Sequence, residues 1–298
     1  MQREVTMKKK VIIPLSSRDF DPSEVAIPWM LLNEAGHEVE FATVDGKPGY
    51  PDPIMLTGEG LDPWGWIPGL KKIKLLGLTL RANRAARAAY KKLEADPSFQ
   101  NPLIYESINS QAYHGILLAG GHAPGMRAHL ENLWLQNFVA EFFESETAAG
   151  NHKPVAAICH GVLIAARAKS KGTGKSVLFG RRTTALTWNL ERTAWMLTKY
   201  LGRFWDPSYY RTYMEFRNEP SGYRSTEYEI KRCLEHENDF LDVPEDSEQY
   251  FMKSSGLFRD DIMDSRAAWV VQDGHYISAR WPGDVHTFTL KFIKALEK

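Results

Sequence analysis

The sequence predicts an α/β protein: a mostly parallel, doubly wound sheet with helices on both faces, interrupted by two insertions. Three observations carry this. Strand-like apolar runs at residues 11–15, 39–44, 115–119 and 155–158 alternate with helix-like segments, as parallel strands joined by crossover helices require. Hydrophobic residues make up 43% of the 298 positions, enough for a large buried core. Two blocks, about 45–109 and 202–265, break the alternation. A single domain over residues 1–298 is expected, with the two blocks forming a cap.

Residues 11–15 (Val-Ile-Ile-Pro-Leu) read as a short buried strand. Ser23 is placed to cap a helix over 24–35, and Gly36 to stop it. Residues 39–44 form the next strand. The first insertion opens with 45–69, rich in Gly, Pro and Trp, which is loop chemistry. Residues 70–93 are predicted as one helix carrying Lys71, Lys72, Lys74, Arg81, Arg84, Arg87, Lys91 and Lys92, with no acid before Glu94. That run is either a solvated face docked on its own chain or a face for anions or a membrane surface. The strand over 115–119 ends in Gly120-Gly121-His122. A helix over 127–146 follows, with Leu130, Leu133, Trp134, Phe138, Val139 and Phe142 at helical spacing. The strand 155–158 leads to a helix starting at 161. Residues 183–187 are predicted as a strand and 190–200 as a helix. The second insertion is aromatic in its first half and acidic over 235–248. Residues 268–272 and 276–279 read as two strands joined by Asp273-Gly274, before a last helix over 285–296.

Charge is balanced, with 37 Lys plus Arg against 37 Asp plus Glu, so no global basic field calls for nucleic acid. No apolar run approaches the roughly 18–20 residues of a membrane span, and no signal-peptide pattern opens the chain. The two cysteines, Cys159 and Cys233, do not make a disulfide framework. A cytoplasmic protein is expected. It is expected to act on a small molecule, not on nucleic acid or membrane, and to form a homodimer. The histidines show no paired metal spacing and no phosphate-loop or dinucleotide motif is present, so neither metal nor cofactor is expected.

Ala157-Ile158-Cys159-His160-Gly161 places a cysteine where a buried strand turns into a helix. Such a turn projects the side chain alone at the sheet's end, and the helix N-terminus favours a thiolate. The plainer reading is a buried core thiol. Gly120-Gly121 is either an ordinary turn or a bare backbone N–H aimed at the cysteine, with His160 N–H as the second donor of an oxyanion hole. Glu24 is either a first-turn acid favoured by the helix dipole or a proton-transfer group in the same crevice.

In this order, Glu24-x-x-x-Pro28, Gly120-Gly121-His122 and Ala157-Ile158-Cys159-His160-Gly161 resemble the ThiJ/PfpI superfamily, whose fold is that of the class I glutamine amidotransferases. The Gly-Gly-His before the cysteine is similar to the stress-inducible chaperone and glyoxalase III branch. The resemblance covers residues 8–44, 110–200 and 265–297. It implies a flavodoxin-like sheet, Cys159 as nucleophile, Glu24 against its sulfur with a proton to exchange, His160 beside it, and Gly121 and His160 as oxyanion donors, with Gly120 and His122 in the same turn. Several members complete a triad with an aspartate after the next strand. Here that stretch holds Asn189 and Glu191 instead, and Asp284 with His286 is a second candidate pair; Asp284 also suits the N-cap of the last helix.

The activity implied is a cofactor-independent, glyoxalase III-like conversion of 2-oxoaldehydes such as methylglyoxal to 2-hydroxy acids. The alternatives are a Cys-His amidase or peptidase, and a redox-sensing or holdase chaperone. The cap expected over Cys159 joins the basic run to the acidic stretch, with Trp64, Trp66 and the tyrosines of 209–228 at its entrance.

Overall fold

The computed structural model describes residues 8–298. Seven strands form the main sheet: β1 (Lys10–Pro14), β3 (Glu38–Thr43), β5 (Leu103–Ile104), β6 (Gly115–Leu118), β7 (Val155–Ile158), β8 (Val270–Asp273) and β9 (Tyr276–Ala279). Their order is β5-β3-β1-β6-β7-β9-β8. All neighbours are parallel except the β8–β9 hairpin, in which Gln272 faces Ile277. A second, two-stranded sheet pairs β2 (Arg18–Phe20) with β4 (Tyr50–Pro51). Every residue of β6, β7 and β9 is buried, which needs cover on both faces of the sheet. The helices Pro22–Glu34, Arg84–Leu93 and Val285–Leu296 pack as one group, and Leu133–Glu144, Val162–Arg167 and Thr226–Lys231 as another.

From β1 the chain first winds outward to β3, then returns to the other side through β6, β7 and β9. The reversal opens a crevice between the carboxyl ends of β1 and β6, the usual ligand position in open α/β sheets. The turns after β1, β6 and β7 converge there, carrying Glu24, Gly120 and Cys159.

Several predicted elements differ. The first helix is capped by Asp21, not Ser23: its Oδ1 accepts the N–H groups of Ser23 (2.7 Å) and Glu24 (3.2 Å). The basic run is not one helix but three short pieces, Leu70–Lys72, Gly77–Leu80 and Arg84–Leu93. Asp62 breaks it by accepting the N–H groups of Leu75, Leu76 and Gly77, and Asn83 starts the last piece by accepting from Ala86 N–H. The helix predicted over 127–146 is split into Arg127–Leu130 and Leu133–Glu144, the second capped by Asn132. Residues 183–187 form no strand, only a bridge from Thr183 to Phe240. Thr183 and Thr184 instead bond the Tyr276 and Ser278 side chains, and Thr187 caps the helix Trp188–Met196. No helix among the described residues is long and apolar enough to cross a membrane.

Candidate functional site

Cys159 follows β7 directly and adopts φ +56°, a left-handed conformation that few non-glycine residues take. Strain of this kind persists only where the surroundings enforce it. Here the tight turn Cys159–Gly161 runs into the helix Val162–Arg167 and presses on the end of β6. A Cβ on Gly161 would lie 2.2 Å from Leu118 O, so only glycine permits this approach. Gly120 is hemmed in from the other side: a Cβ there would lie 2.7 Å from His160 N, 3.0 Å from Cys159 Cβ and 3.0 Å from Glu24 Oε2. Three segments distant in sequence therefore meet within a few ångströms.

Glu24 is fully buried, and its Oε2 accepts the Gly120 N–H at 2.7 Å. Burial, then the neighbouring Asp21, holds its carboxyl well above the usual range, and its remaining interactions include the Cys159 thiol. Glu24 therefore holds a proton more readily than an exposed carboxyl does. Cys159 is also pushed well up, first by burial, then by Glu24 and Asp21; the His160 N–H opposes this. The thiol held low by the helix N-terminus, expected from the sequence, is thus corrected: enclosure outweighs the helix end. The two groups compete to remain protonated.

His160 Nδ1 lies 3.4 Å from Cys159 Sγ. Burial lowers this imidazole to about 3, so it is neutral. Among the described residues no carboxylate hydrogen-bonds to it. The predicted third members all lie elsewhere. Asn189 is exposed. Glu191 is 2.9 Å from Arg211 Nε and accepts Thr226 N–H; burial raises it to about 7. Asp284 binds Arg280 at 2.8 Å and accepts Trp269 N–H, so its carboxylate does not cap the last helix. Asp260, from the second insertion, does that work by accepting the N–H groups of His286 and Thr287, and it also holds the His286 ring at 3.2 Å. Each candidate acid has a structural partner that the sequence did not disclose.

The Gly120 N–H is taken by Glu24, whereas the Gly121 N–H meets no acceptor among the described residues. Gly121, His122 and Cys159 line a cavity of about 140 Å³ with Asp21, Tyr210 and Arg259. Met55, Leu80, Leu186, Leu190 and Trp281 supply its apolar wall. Both insertions contribute, the first through Met55 and Leu80, the second through Tyr210 and Arg259. A larger, open groove of about 1090 Å³ lies at the opposite ends of the strands, beside Lys9, His114 and His275, away from this chemistry.

His122 stacks on Tyr210 with ring centroids 3.9 Å apart. Its Nε2 is 3.6 Å from Asp52 Oδ2, which accepts the Tyr209 hydroxyl at 2.7 Å. Burial lowers His122 to about 3, so this is a neutral imidazole held by packing and not an ion pair. Tyr210 is one of the tyrosines expected over Cys159; Asp21, Asp52 and Arg259 escaped the sequence reading. The only available signals were Asp21-Pro22 and Asp52-Pro53, each an acid before a proline, which mark helix starts.

The expected charge pairing of the cap is not found. Lys74 pairs with Glu59 at 3.3 Å, and the acidic stretch packs instead under Thr183 and Trp269, which donate to Asp239 O and Leu241 O. Trp66 is exposed and Trp64 bonds Ile73 O; neither lines the cavity. No group of three or more His, Cys, Asp or Glu among the described residues is placed to hold a metal ion.

A family profile described as ThiJ/PfpI family-like matches residues 15–244. Among solved structures, the Rapid Encystment Protein 24 KDa of Francisella tularensis has a TM-score of 0.59 at 15% identity, over 97% of this chain and 99% of that one. Glyoxalase III of Candida albicans has a TM-score of 0.57 at 15% identity, over 96% and 97%. At such identities the likeness is one of fold. Comparison with curated proteins finds no match.

Proposed function

The chain belongs to the ThiJ/PfpI-like family, and on that premise we propose that it is a cofactor-independent cysteine enzyme converting 2-oxoaldehydes to 2-hydroxy acids. The observation that carries the reading is the buried Cys159–Glu24 pair, with Cys159 lining a cavity of about 140 Å³, beside a neutral His160 that has no acid partner among the described residues. Small-molecule sites usually run to about 300–1,000 Å³, so this one suits a substrate of few atoms. One fold neighbour is itself named a glyoxalase III.

In the proposed reaction Cys159 sulfur bonds to the aldehyde carbon and the carbonyl π pair moves to oxygen, which takes up the proton released by the thiol. Gly121 and His160 N–H groups are the donors for that oxygen. Glu24, reacting as a carboxylate, removes the proton on the former aldehyde carbon to give an enediol and returns it to the adjacent carbon, while the hydroxyl proton passes to the neighbouring oxygen. The product is a thioester of a 2-hydroxy acid. Water cleaves the carbon–sulfur bond, releasing the acid and restoring the thiol. Oxidation of one carbon balances reduction of its neighbour, so no external redox partner enters.

Amide hydrolysis draws less support, because a leaving amine needs a proton from a His oriented by an acid, and His160 has none. The test is steady-state turnover of methylglyoxal without added thiol or cofactor, by wild type and Cys159→Ala. The expected result is 2-hydroxy acid formation that vanishes in the variant. Turnover of small amides but not of 2-oxoaldehydes would overturn the reading.

A further inference from the structure

Arg259 is half-buried and stands apart from three other arginines of the interior. Arg167, Arg211 and Arg280 are each held by a carboxylate, at 2.6, 2.9 and 2.8 Å. Among the described residues Arg259 has no carboxylate oxygen within 4.0 Å and donates no hydrogen bond. It nevertheless lines the Cys159 cavity, with its guanidinium 5.2 Å over the Trp281 ring. Stacking of this kind orients the planar fork without satisfying its donors.

The acids around it are committed elsewhere. Asp21 caps the first helix, Glu24 holds Gly120 N–H, and Asp260 caps the last helix. Asp21, Glu24 and Asp260 favour its charge only from beyond 4.0 Å, so its N–H donors stay open to a ligand that brings an anion. The flat guanidinium matches the two oxygens of a carboxylate. The remaining wall is mostly apolar, and the cavity is about 140 Å³.

We infer that Arg259 is the anchor for a carboxylate on the substrate, so that the preferred substrates are short carbonyl compounds with an acid group and not uncharged ones. This deepens the proposed function and rests on its placing of the carbonyl at Cys159. A phosphate offers a similar oxyanion edge, so the experiment separates the two.

Iodoacetate and iodoacetamide alkylate a thiol alike: a sulfur–carbon bond forms and iodide leaves. They differ in charge. In a Cys233→Ser background, with Cys159 modification followed by peptide mass, iodoacetate should be favoured about tenfold over iodoacetamide, relative to the same ratio for glutathione. Arg259→Gln should abolish that preference, with an unchanged circular dichroism spectrum and urea midpoint showing that the fold is kept; Arg259→Lys should retain part of it. Acetate should protect Cys159 from iodoacetamide in the parent but not in Arg259→Gln. A ratio no different from glutathione's, or one unchanged by Arg259→Gln, overturns the inference. Protection by inorganic phosphate but not by acetate overturns the carboxylate. Alkylation needs no turnover, so failure of methylglyoxal conversion would overturn the proposed reaction and leave this readout intact.

Discussion

Glu24 Oε2 accepts the Gly120 backbone N–H at 2.7 Å, joining residues 96 positions apart. The bond fixes the carboxyl beside the Cys159 sulfur and removes the Gly120 N–H from any oxyanion hole. It also makes Glu24 the group in the crevice best placed to move a proton.

Glu24→Gln separates these roles. The amide keeps an oxygen for Gly120 but cannot take a proton, so turnover should fall by about 10²–10⁴. Thiol reactivity should move the other way. Glu24 raises the Cys159 thiol, and removing its charge lets the thiolate form at lower pH. Steady-state rates and an iodoacetamide pH profile of one variant read both. A fall in turnover without a downward shift of the profile would mean that the variant has only lost packing.

In the wild type, the iodoacetamide profile should inflect above the ordinary thiol value of about 8.5, because burial, Glu24 and Asp21 all favour the protonated thiol. An inflection below that value would show that the helix N-terminus and the His160 N–H dominate after all.

Three buried histidines should make the fold sensitive to acid. His122, His129 and His160 are each lowered to about 3 by burial. Below the unfolded-chain value of about 6.5, the unfolded state binds protons that the folded state refuses. This stability is therefore complete above 6.5 and is lost as pH falls toward 3. The histidines lower the urea midpoint between pH 7 and pH 5, against an opposing contribution from Glu191, which is raised to about 7. His129→Gln, at a residue bonded to Tyr105 and outside the site, should flatten that slope.

Gly161→Ala places a methyl group 2.2 Å from Leu118 O. Overpacking against backbone should cost about 1–3 kcal/mol, seen as a lower urea midpoint. Because the elbow must shift, turnover should fall more than the stability loss explains. An Ala variant with wild-type stability and rate would show that the turn is looser than its geometry indicates.

The parts of the site visible in the sequence were those fixed by local pattern. The run Val155–Ile158 into Cys159-His160-Gly161 is contiguous, and so is Gly120-Gly121-His122. The sheet was legible because its strands are short apolar runs at regular intervals. Arg259 and Asp52 were not, because they lie in irregular insertions and reach the site only through the tertiary fold. Charge misled over residues 70–93, where a basic run suggested one helix; the break comes from Asp62, a side chain from outside the run. β-Branched composition misled at Thr183–Thr184, whose hydrogen bonds go to side chains of β9 rather than to a sheet ladder.

The sheet order has a consequence for how the chain is made. β7, which leads into the cysteine, lies between β6 and β9, and β9 is made only after the whole second insertion. At about 5–20 residues per second, the ribosome leaves β7 as an open edge for several seconds after Cys159 emerges. Arg259 and Trp281, which help to wall the thiol, arrive in the same late stretch. The nascent protein therefore passes through a period in which the Cys159 thiol is uncovered and its central strand unpaired on one side, and a stalled or truncated chain would stay there.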